Sequence, residues 1–270
     1  AANIFVGQTE APLVVQPFVK QMTLSELNAI MVGGFATVAG GVMAIYVGFL
    51  SDVPGIAGHL VTASIISAPA ALAIAKVMVP ETETPVTVDG TTFKSERLDV
   101  NGIDALSRGT LDGLTLALNI GAMLIVFVAM IAMVNGVLGF VGELVGVPLS
   151  LQWLCGFLFS PLALMMGIPW SEALVAGSLL GEKMILTELI AFGHLKDIQA
   201  SAEPLSERTA IIVSYALCGF ANFASIGIQI GGIGGIAPER RGDLAKLGFR
   251  AMIGGTLAAM MTGAVAGVLL

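Results

Sequence analysis

The chain has 270 residues, of which 56% are hydrophobic and 11% are charged, and its formal net charge is −7. A soluble domain carries about a quarter charged residues, so this chain has too few to cover a surface that faces water. The composition excludes an ordinary soluble domain and indicates a protein surrounded mainly by lipid. Cys155 and Cys218 both lie in apolar stretches, which favours buried thiols over a disulfide framework or a metal site.

Long apolar stretches set the predicted helices. About 20 apolar residues form a helix that crosses the hydrocarbon core of a membrane. We therefore predict an all-α, polytopic membrane protein. In chain order, its predicted transmembrane helices cover residues 27–50, 59–79, 114–134, 209–232 and 251–270.

Residues 151–196 break this pattern. Pro161 and the segment Gly167-Ile168-Pro169 interrupt the first half, and the second half carries several charges. We predict a re-entrant hairpin with its turn at Pro169, a backbone that is tolerated at membrane depth where protein or a cavity surrounds it. Residues 1–20 have the features expected of the tip and second arm of an equivalent hairpin.

The segment Gly34–Gly40 (GFATVAG) is nearly repeated at Gly219–Ser225 (GFANFAS), and each copy lies inside a predicted transmembrane helix. Two full crossings and one hairpin separate the copies, so the two helices are predicted to cross in opposite senses. An inverted pair of membrane helices interrupted by small and polar residues is typical of the binding site of a secondary transporter.

The predicted organisation has four parts. Residues 1–79 form a first repeat, 80–113 a connector with a turn at Asp89-Gly90, 114–140 a linking helix, and 151–270 a second repeat. Basic residues are enriched on the cytoplasmic side of membrane proteins. The predicted topology puts nine of the twelve on one side, namely Lys20, Lys76, Lys94, Arg97, Arg108, Arg240, Arg241, Lys246 and Arg250.

Two isolated carboxylates, Glu10 and Glu172, lie in apolar surroundings upstream of the repeated segments. Acids inside membranes are costly and usually functional, although each of these could instead face an aqueous vestibule or cap a half-helix. The polar tip Gln8-Thr9-Glu10 offers donors and acceptors that suit a neutral ligand such as a nucleobase.

Asn222 and Ser225 are three residues apart, hence on one face of a helix. With Glu172 they are predicted to form an acceptor-rich trio for the hydroxyls of a sugar; the alternative is that the pair joins two helices. Thr37 occupies the position in the first repeat that Asn222 occupies in the second. Beside an unwound backbone, its hydroxyl could bind Na⁺ together with Asn3 and the carbonyl of Val6.

The segment Asn3–Pro12 (NIFVGQTEAP) resembles the concentrative nucleoside transporter family. The resemblance continues through Gly34–Gly41, Pro169–Ala173, Cys218–Asn222 and Pro238–Asp243, and so covers essentially the whole chain. It implies a trimer whose protomers hold two helical hairpins and two unwound helices in inverted repeats. In that family three scaffold helices, an interfacial helix and a first hairpin arm precede the part that this chain matches, so we expect a portion of a longer transporter.

The resemblance also implies site residues. Gln8, Thr9, Glu10 and Val42 would face the nucleobase; Glu172, Asn222 and Ser225 would hold the ribose, with Phe220 beside it; and Asn3, Val6, Thr37 and Val38 would bind Na⁺. The implied function is Na⁺-coupled symport of nucleosides across the bacterial inner membrane. Open alternatives are coupling to H⁺, an intramembrane enzyme that uses Glu10 and Glu172 as an acid–base pair, and a channel.

Overall fold

The computed structural model describes residues 2–86 and 100–270, and all of its regular structure there is helical, as predicted. The predicted turn at Asp89-Gly90, together with Lys94 and Arg97, lies outside the described residues. Two compact units are present: residues 1–88 with 152–270 form one, and residues 89–151 form the other.

The first twenty residues are less regular than the predicted hairpin arm. They form 3₁₀ turns over Ala2–Ile4 and Ala11–Val15, followed by the short helix α1 (Gln16–Val19). Pro12 and Pro17 lie near the start of the last two elements. Proline has no N–H to donate and is tolerated in the first turn of a helix, so each proline favours a new start over one continuous helix.

The first interrupted helix consists of α2 (Leu24–Ala36) and α3 (Gly40–Phe49), separated by extended backbone at Thr37 and Ala39. A capping box starts α2, in which the Thr23 hydroxyl accepts from the N–H of Glu26 and the Glu26 carboxylate accepts from the N–H of Thr23. The break confirms the predicted unwinding within residues 27–50. The next helix, α4 (Ile56–Met78), is continuous.

Helix α5 (Gly102–Val145) is 44 residues long and begins twelve residues before the predicted start at 114. The Asn101 side chain caps it by accepting from the N–H groups of Ile103 and Asp104. The last part of the predicted connector is therefore helical. Gly146, with φ of +68°, ends the helix in the left-handed conformation that glycine adopts at low cost.

The predicted turn at Pro169 is present: α6 (Leu151–Met165) and α7 (Trp170–Ile185) are bent by 118°. A second turn at Leu186-Thr187, absent from the sequence-based prediction, precedes α8 (Glu188–Gln199). Glu182 Oε2 and His194 Nδ1 are 2.7 Å apart. In one continuous helix these residues would be separated by about 18 Å along the axis, so α8 folds back on α7 as a hairpin.

The second interrupted helix consists of α9 (Glu207–Leu217) and α10 (Phe223–Ile236), with residues 218–222 unwound between them. A single 3₁₀ turn, Pro238–Arg240, leads to α11 (Arg241–Leu269), which begins ten residues before the predicted start at 251. Helix α11 lies against α2, α4 and α9. It thereby contributes to the core shared by the two repeats.

Three helical stretches of the described chain are long and apolar enough to cross a membrane, and the bent α6–α7 pair would add a fourth. The three stretches are residues 24–49, 56–78 and 238–269.

The two breaks meet at their backbones. The N–H of Phe220 donates to the carbonyl of Thr37 at 3.3 Å. Gly219, with φ of +152°, lies so close that a Cβ there would come within 2.8 Å of the Phe35 carbonyl oxygen. Glycine at this position permits both the backbone conformation and the close approach.

Replacing Gly219 with alanine should therefore destabilise the protein. The added methyl group would collide with the backbone of α2 and would force an L residue into a conformation that costs about 1–3 kcal/mol. We expect a lower midpoint of thermal unfolding for the Gly219→Ala protein purified in detergent. Gly48→Ala is the matched control, because Gly48 lies in α3 with open space around its Cα. Equal unfolding midpoints for the two variants would contradict the close approach of Gly219 to α2.

Candidate functional site

A buried glutamine from the N-terminal segment, residues 2–20, reaches the second interrupted helix. Gln8 is 7% exposed, and its Nε2 donates to Ser225 Oγ on α10 at 3.1 Å. Its Oε1 accepts from Gln229 Nε2, one turn further along α10, at 3.0 Å. Both ends of the Gln8 amide are therefore held by protein groups, and the tip Gln8-Thr9-Glu10 is fixed to the start of α10.

A buried carboxylate, Glu188, lies on the other side of this contact. Its Oε2 accepts from Asn222 Nδ2 at 3.1 Å, and its Oε1 accepts from the hydroxyl of Tyr46 at 2.9 Å. The Asn222 Oδ1 atom accepts from the N–H of Ser225, so Asn222 both caps α10 and orients the carboxylate. Tyr46 stacks on Phe192 with ring centroids 4.1 Å apart. Hydrogen bonds thus connect the N-terminal segment, the second break and α3.

Lys183 supplies positive charge near this carboxylate. Its side chain is 2% exposed, and Nζ donates to the carbonyl of Ala216 at 2.8 Å, in the last turn of α9 before the break. A cation there satisfies a carbonyl that has no partner within its own helix and complements the negative end of the helix dipole. Lys183 also attracts Glu188 electrostatically, which reduces the cost of burying each charge.

The other predicted nucleobase residues lie around the same tip. The Thr9 side chain packs against Gly232 of α10, where a Cβ would come within 2.7 Å of the threonine methyl. Glu10 is exposed, with its carboxylate against Gly7. Val42 and Phe220 are each partly exposed. The structure therefore brings Gln8 and Thr9 to α10 and leaves the Glu10 carboxylate facing outward.

The predicted Na⁺ residues include a close pair. Asn3 Nδ2 donates to the carbonyl of Gly33 at 2.5 Å and to Thr37 Oγ1 at 2.6 Å. Asn3 Oδ1 is buried and has no hydrogen-bond partner in the part of the chain that the structure describes. Oxygen atoms of this kind are the ligands that hard cations prefer. Val6 is 39% exposed, whereas Val38 is fully buried.

The predicted grouping of Glu172 with Asn222 and Ser225 requires correction. The Glu172 carboxylate accepts from the N–H of Ser206 at 2.9 Å and from its hydroxyl at 2.8 Å. Ser206 precedes α9, whose eleven residues span about 16 Å before the break that leads to Asn222. The Glu172 carboxylate therefore binds the N-terminal end of α9. The carboxylate beside Asn222 is that of Glu188.

Sequence reasoning overlooked Glu188, Tyr46 and Gln229. One signal was available for Glu188: the pair Thr187-Glu188 repeats Thr9-Glu10, and each pair follows a point where the chain turns. Tyr46 and Gln229 lie inside apolar helices and resemble ordinary helix-packing residues. Only their tertiary contacts connect them to the site.

Comparisons with known proteins agree on one family. The model of the Na⁺ dependent nucleoside transporter C-terminus matches residues 59–267. The chain is 45% identical over 271 residues to the uncharacterized transporter YutK of Bacillus subtilis (strain 168), covering 99% of this chain and 65% of that protein. It is 43% identical to solute carrier family 28 member 3 of Mus musculus, covering 100% of this chain and 40% of that protein.

A solved structure gives the same result. CNTnw in an inward-facing substrate-bound state has a TM-score of 0.88 and 46% sequence identity, covering 99% of this chain and 62% of that one. The chain thus spans less than two thirds of the length of YutK and of CNTnw.

Removing the Tyr46 hydroxyl should show how much the contacts of Glu188 contribute to the stability of the protein. Tyr46→Phe leaves Oε1 of a buried carboxylate without its donor, which we expect to lower the free energy of unfolding by about 1–3 kcal/mol. Tyr215→Phe is the control, because its hydroxyl bonds His59 Nδ1 rather than a carboxylate. Thermal unfolding in detergent measures both changes, and a loss no larger for Tyr46→Phe than for Tyr215→Phe would contradict this assignment.

Proposed function

This chain belongs to the Na⁺ dependent nucleoside transporter family, and we propose that it takes part in cation-coupled symport of nucleosides, with Na⁺ as the coupling ion. The observation that carries the proposal is the hydrogen-bonded connection from Gln8 through Ser225 and Asn222 to Glu188, at the crossing of two interrupted helices. The relatives are transporters rather than enzymes. This argues against an intramembrane enzyme with Glu10 and Glu172 as an acid–base pair.

The first hairpin tip binds the nucleobase in this proposal. Gln8 offers an amide edge with one donor and one acceptor, which matches the paired groups on the edge of a base. Thr9 and Glu10 add polar groups on the same tip, and Val42 supplies an apolar contact for the ring. The burial of Gln8 beside α10 supports this assignment, because a buried amide can form hydrogen bonds with only a few partners.

The second repeat binds the ribose through Glu188, with Asn222 and Ser225. A carboxylate that accepts from two vicinal hydroxyls makes charge-assisted hydrogen bonds, which are roughly twice as strong as neutral ones. Tyr46 and Asn222 already hold Glu188 by one oxygen each, so its remaining lone pairs have a fixed direction. Phe220, partly exposed at the break, offers an apolar surface beside the sugar.

Na⁺ binds beside the first break in this proposal, at Asn3, Thr37 and the backbone of Val6 and Val38. The proximity of Asn3 to Thr37 and the unpartnered Asn3 Oδ1 support it, because an inserted cation would satisfy that oxygen. Such a site links ion and nucleoside binding, since Asn3 and Gln8 lie on the same hairpin tip. Coupling to H⁺ remains the alternative to test.

The protein is a membrane protein, and we propose the bacterial inner membrane as its location and a homotrimer as its working assembly. Helix α5 supports the trimer, because many of its described apolar side chains are exposed. Neighbouring protomers or lipid would cover them. Examples are Ile125, Val126, Met133, Val137 and Phe140.

Thr37 should control the response to Na⁺. Thr37→Val keeps the shape and removes one oxygen ligand, so the Na⁺ concentration that half-saturates uridine binding should rise about tenfold, equivalent to about 1.4 kcal/mol. Thr37→Ser keeps the hydroxyl and should be mild. Equilibrium uridine binding across a Na⁺ titration, with choline as the replacement ion, measures this. Binding that ignores Na⁺ but follows pH would instead support coupling to H⁺.

Glu188 rather than Glu172 should sense the ribose hydroxyls. One charge-assisted hydrogen bond is worth about 1.5–3 kcal/mol, so weakening two of them should cost at least roughly 10- to 150-fold in affinity. Glu188→Gln should therefore bind uridine about as weakly as the wild type binds 2′,3′-dideoxyuridine. Glu172→Gln is the matched control and should keep the preference for uridine. If Glu188→Gln keeps that preference while Glu172→Gln loses it, the original sequence-based assignment is right and this one is wrong.

A further inference from the structure

Gln229 is a buried glutamine with an unusual set of contacts. It is fully buried on α10, and its Nε2 donates both to Gln8 Oε1 at 3.0 Å and to the backbone carbonyl of Met31 at 3.1 Å. Its own Oε1 has no hydrogen-bond partner among the described residues. Leaving a buried acceptor unpaired is costly, so packing alone would favour an apolar side chain at this position.

The orientation of these two amides follows from the chemistry of their partners. A backbone carbonyl can only accept, so Met31 requires the NH₂ group of Gln229 to point toward it. The second hydrogen of that NH₂ group then points at Gln8, so the Gln8 side chain must present its oxygen as the acceptor. The Gln8 NH₂ group is thereby directed to Ser225, whose hydroxyl can donate or accept and so imposes no orientation.

Gly34 provides the space for this arrangement. A Cβ at Gly34 would lie 2.6 Å from Gln229 Nε2 and 3.2 Å from the Cβ of Gln8. Any side chain there would displace the Gln229 amide from its position between Met31 and Gln8. The orientation of Gln229, in the second repeat, is therefore restricted by two parts of the first repeat, namely Gln8 and α2.

An amide held in one orientation distinguishes keto from amino nucleobases. After its contacts with Gln229 and Ser225, Gln8 retains one N–H donor and one lone pair on its oxygen. Uracil presents an N–H beside a carbonyl oxygen, whereas cytosine presents a ring nitrogen acceptor beside an amino group. The two bases need opposite orientations of the same amide. The same contrast separates hypoxanthine from adenine.

We propose that Gln229 is a specificity-determining positioning residue: it fixes the amide orientation of Gln8 and thereby sets whether the protein prefers nucleosides with keto or with amino bases. The inference rests on the proposed function. It deepens that function by assigning base selectivity to a residue that need not touch the nucleoside.

The experiment measures equilibrium dissociation constants of uridine and cytidine for the purified protein in saturating Na⁺. The wild-type ratio should differ from 1 by about tenfold or more, the effect of one mismatched buried hydrogen bond. Gln229→Leu frees the Gln8 amide to rotate, so the ratio should move close to 1. Inosine and adenosine should show the same change.

Gln229→Glu provides the more demanding test, because it presents Gln8 with an acceptor instead of a donor. A carboxylate can only accept hydrogen bonds. A protonated carboxyl would donate its one O–H to the Met31 carbonyl and would still leave an acceptor for Gln8. The Gln8 amide should then turn over, and the base preference should reverse. A merely structural role for Gln229 would weaken binding of both nucleosides without reversing their order.

Asn28→Leu is the matched control. Asn28 is also a fully buried amide that donates to a backbone carbonyl, that of Ala75, and its Oδ1 also lacks a partner in the described chain, but it makes no hydrogen bond to Gln8. Its replacement should leave the ratio unchanged.

Two results overturn the inference alone: a wild-type protein that binds both nucleosides equally, or a Gln229→Leu protein that keeps the wild-type ratio. A wild-type protein that binds no nucleoside overturns the proposed function as well, which separates the two failures. If Gln229→Leu does not fold, reversal or retention of the preference in Gln229→Glu decides the matter.

Discussion

The backbone at Gly219 lies against the backbone of Phe35 and Ala36, where two interrupted helices cross. Unwound backbone inside a membrane carries N–H and C=O groups that must find partners within the protein. Here the two breaks satisfy part of each other's hydrogen bonding, because the N–H of Phe220 donates to the carbonyl of Thr37. The close approach of these two backbones brings the break that contains Thr37 against the break that contains Phe220.

Several polar groups around the crossing form hydrogen bonds with one another. Glu188 is held by Tyr46 and Asn222, and Lys183 is held by the end of α9. Removing one partner from such a group leaves a buried donor or acceptor unpaired, which costs more than the bond itself contributes. A ligand that offers hydroxyls and a base edge could replace some of these internal partners. In the proposed function, the network that stabilises the protein is also the one that binds the nucleoside.

The two carboxylates that were predicted as a matched pair have different surroundings. Glu10 is exposed in the N-terminal segment, and the Glu172 carboxylate accepts from Ser206 at the N-terminal end of α9. The prediction paired them because each is an isolated acid ahead of a repeated segment. It did not include the second turn at Leu186-Thr187, which brings Glu188 to the break. The turn at Leu186-Thr187 has a weak sequence signal, since no proline or glycine marks it.

The sequence by itself determined the class of protein, the positions of the interrupted helices and the family. Apolar length, the GFATVAG and GFANFAS repeats and the tip Gln8-Thr9-Glu10 are local patterns, and local patterns are readable without coordinates. The tertiary structure decided which acid lies beside Asn222 and which side chains hold Gln8. Those outcomes depend on contacts between different segments of the chain, which lie 34 positions apart for Glu188 and Asn222 and 221 positions apart for Gln8 and Gln229. Hydrophobic periodicity reports how a residue lies on its own helix but carries no information about which distant helix will lie against it.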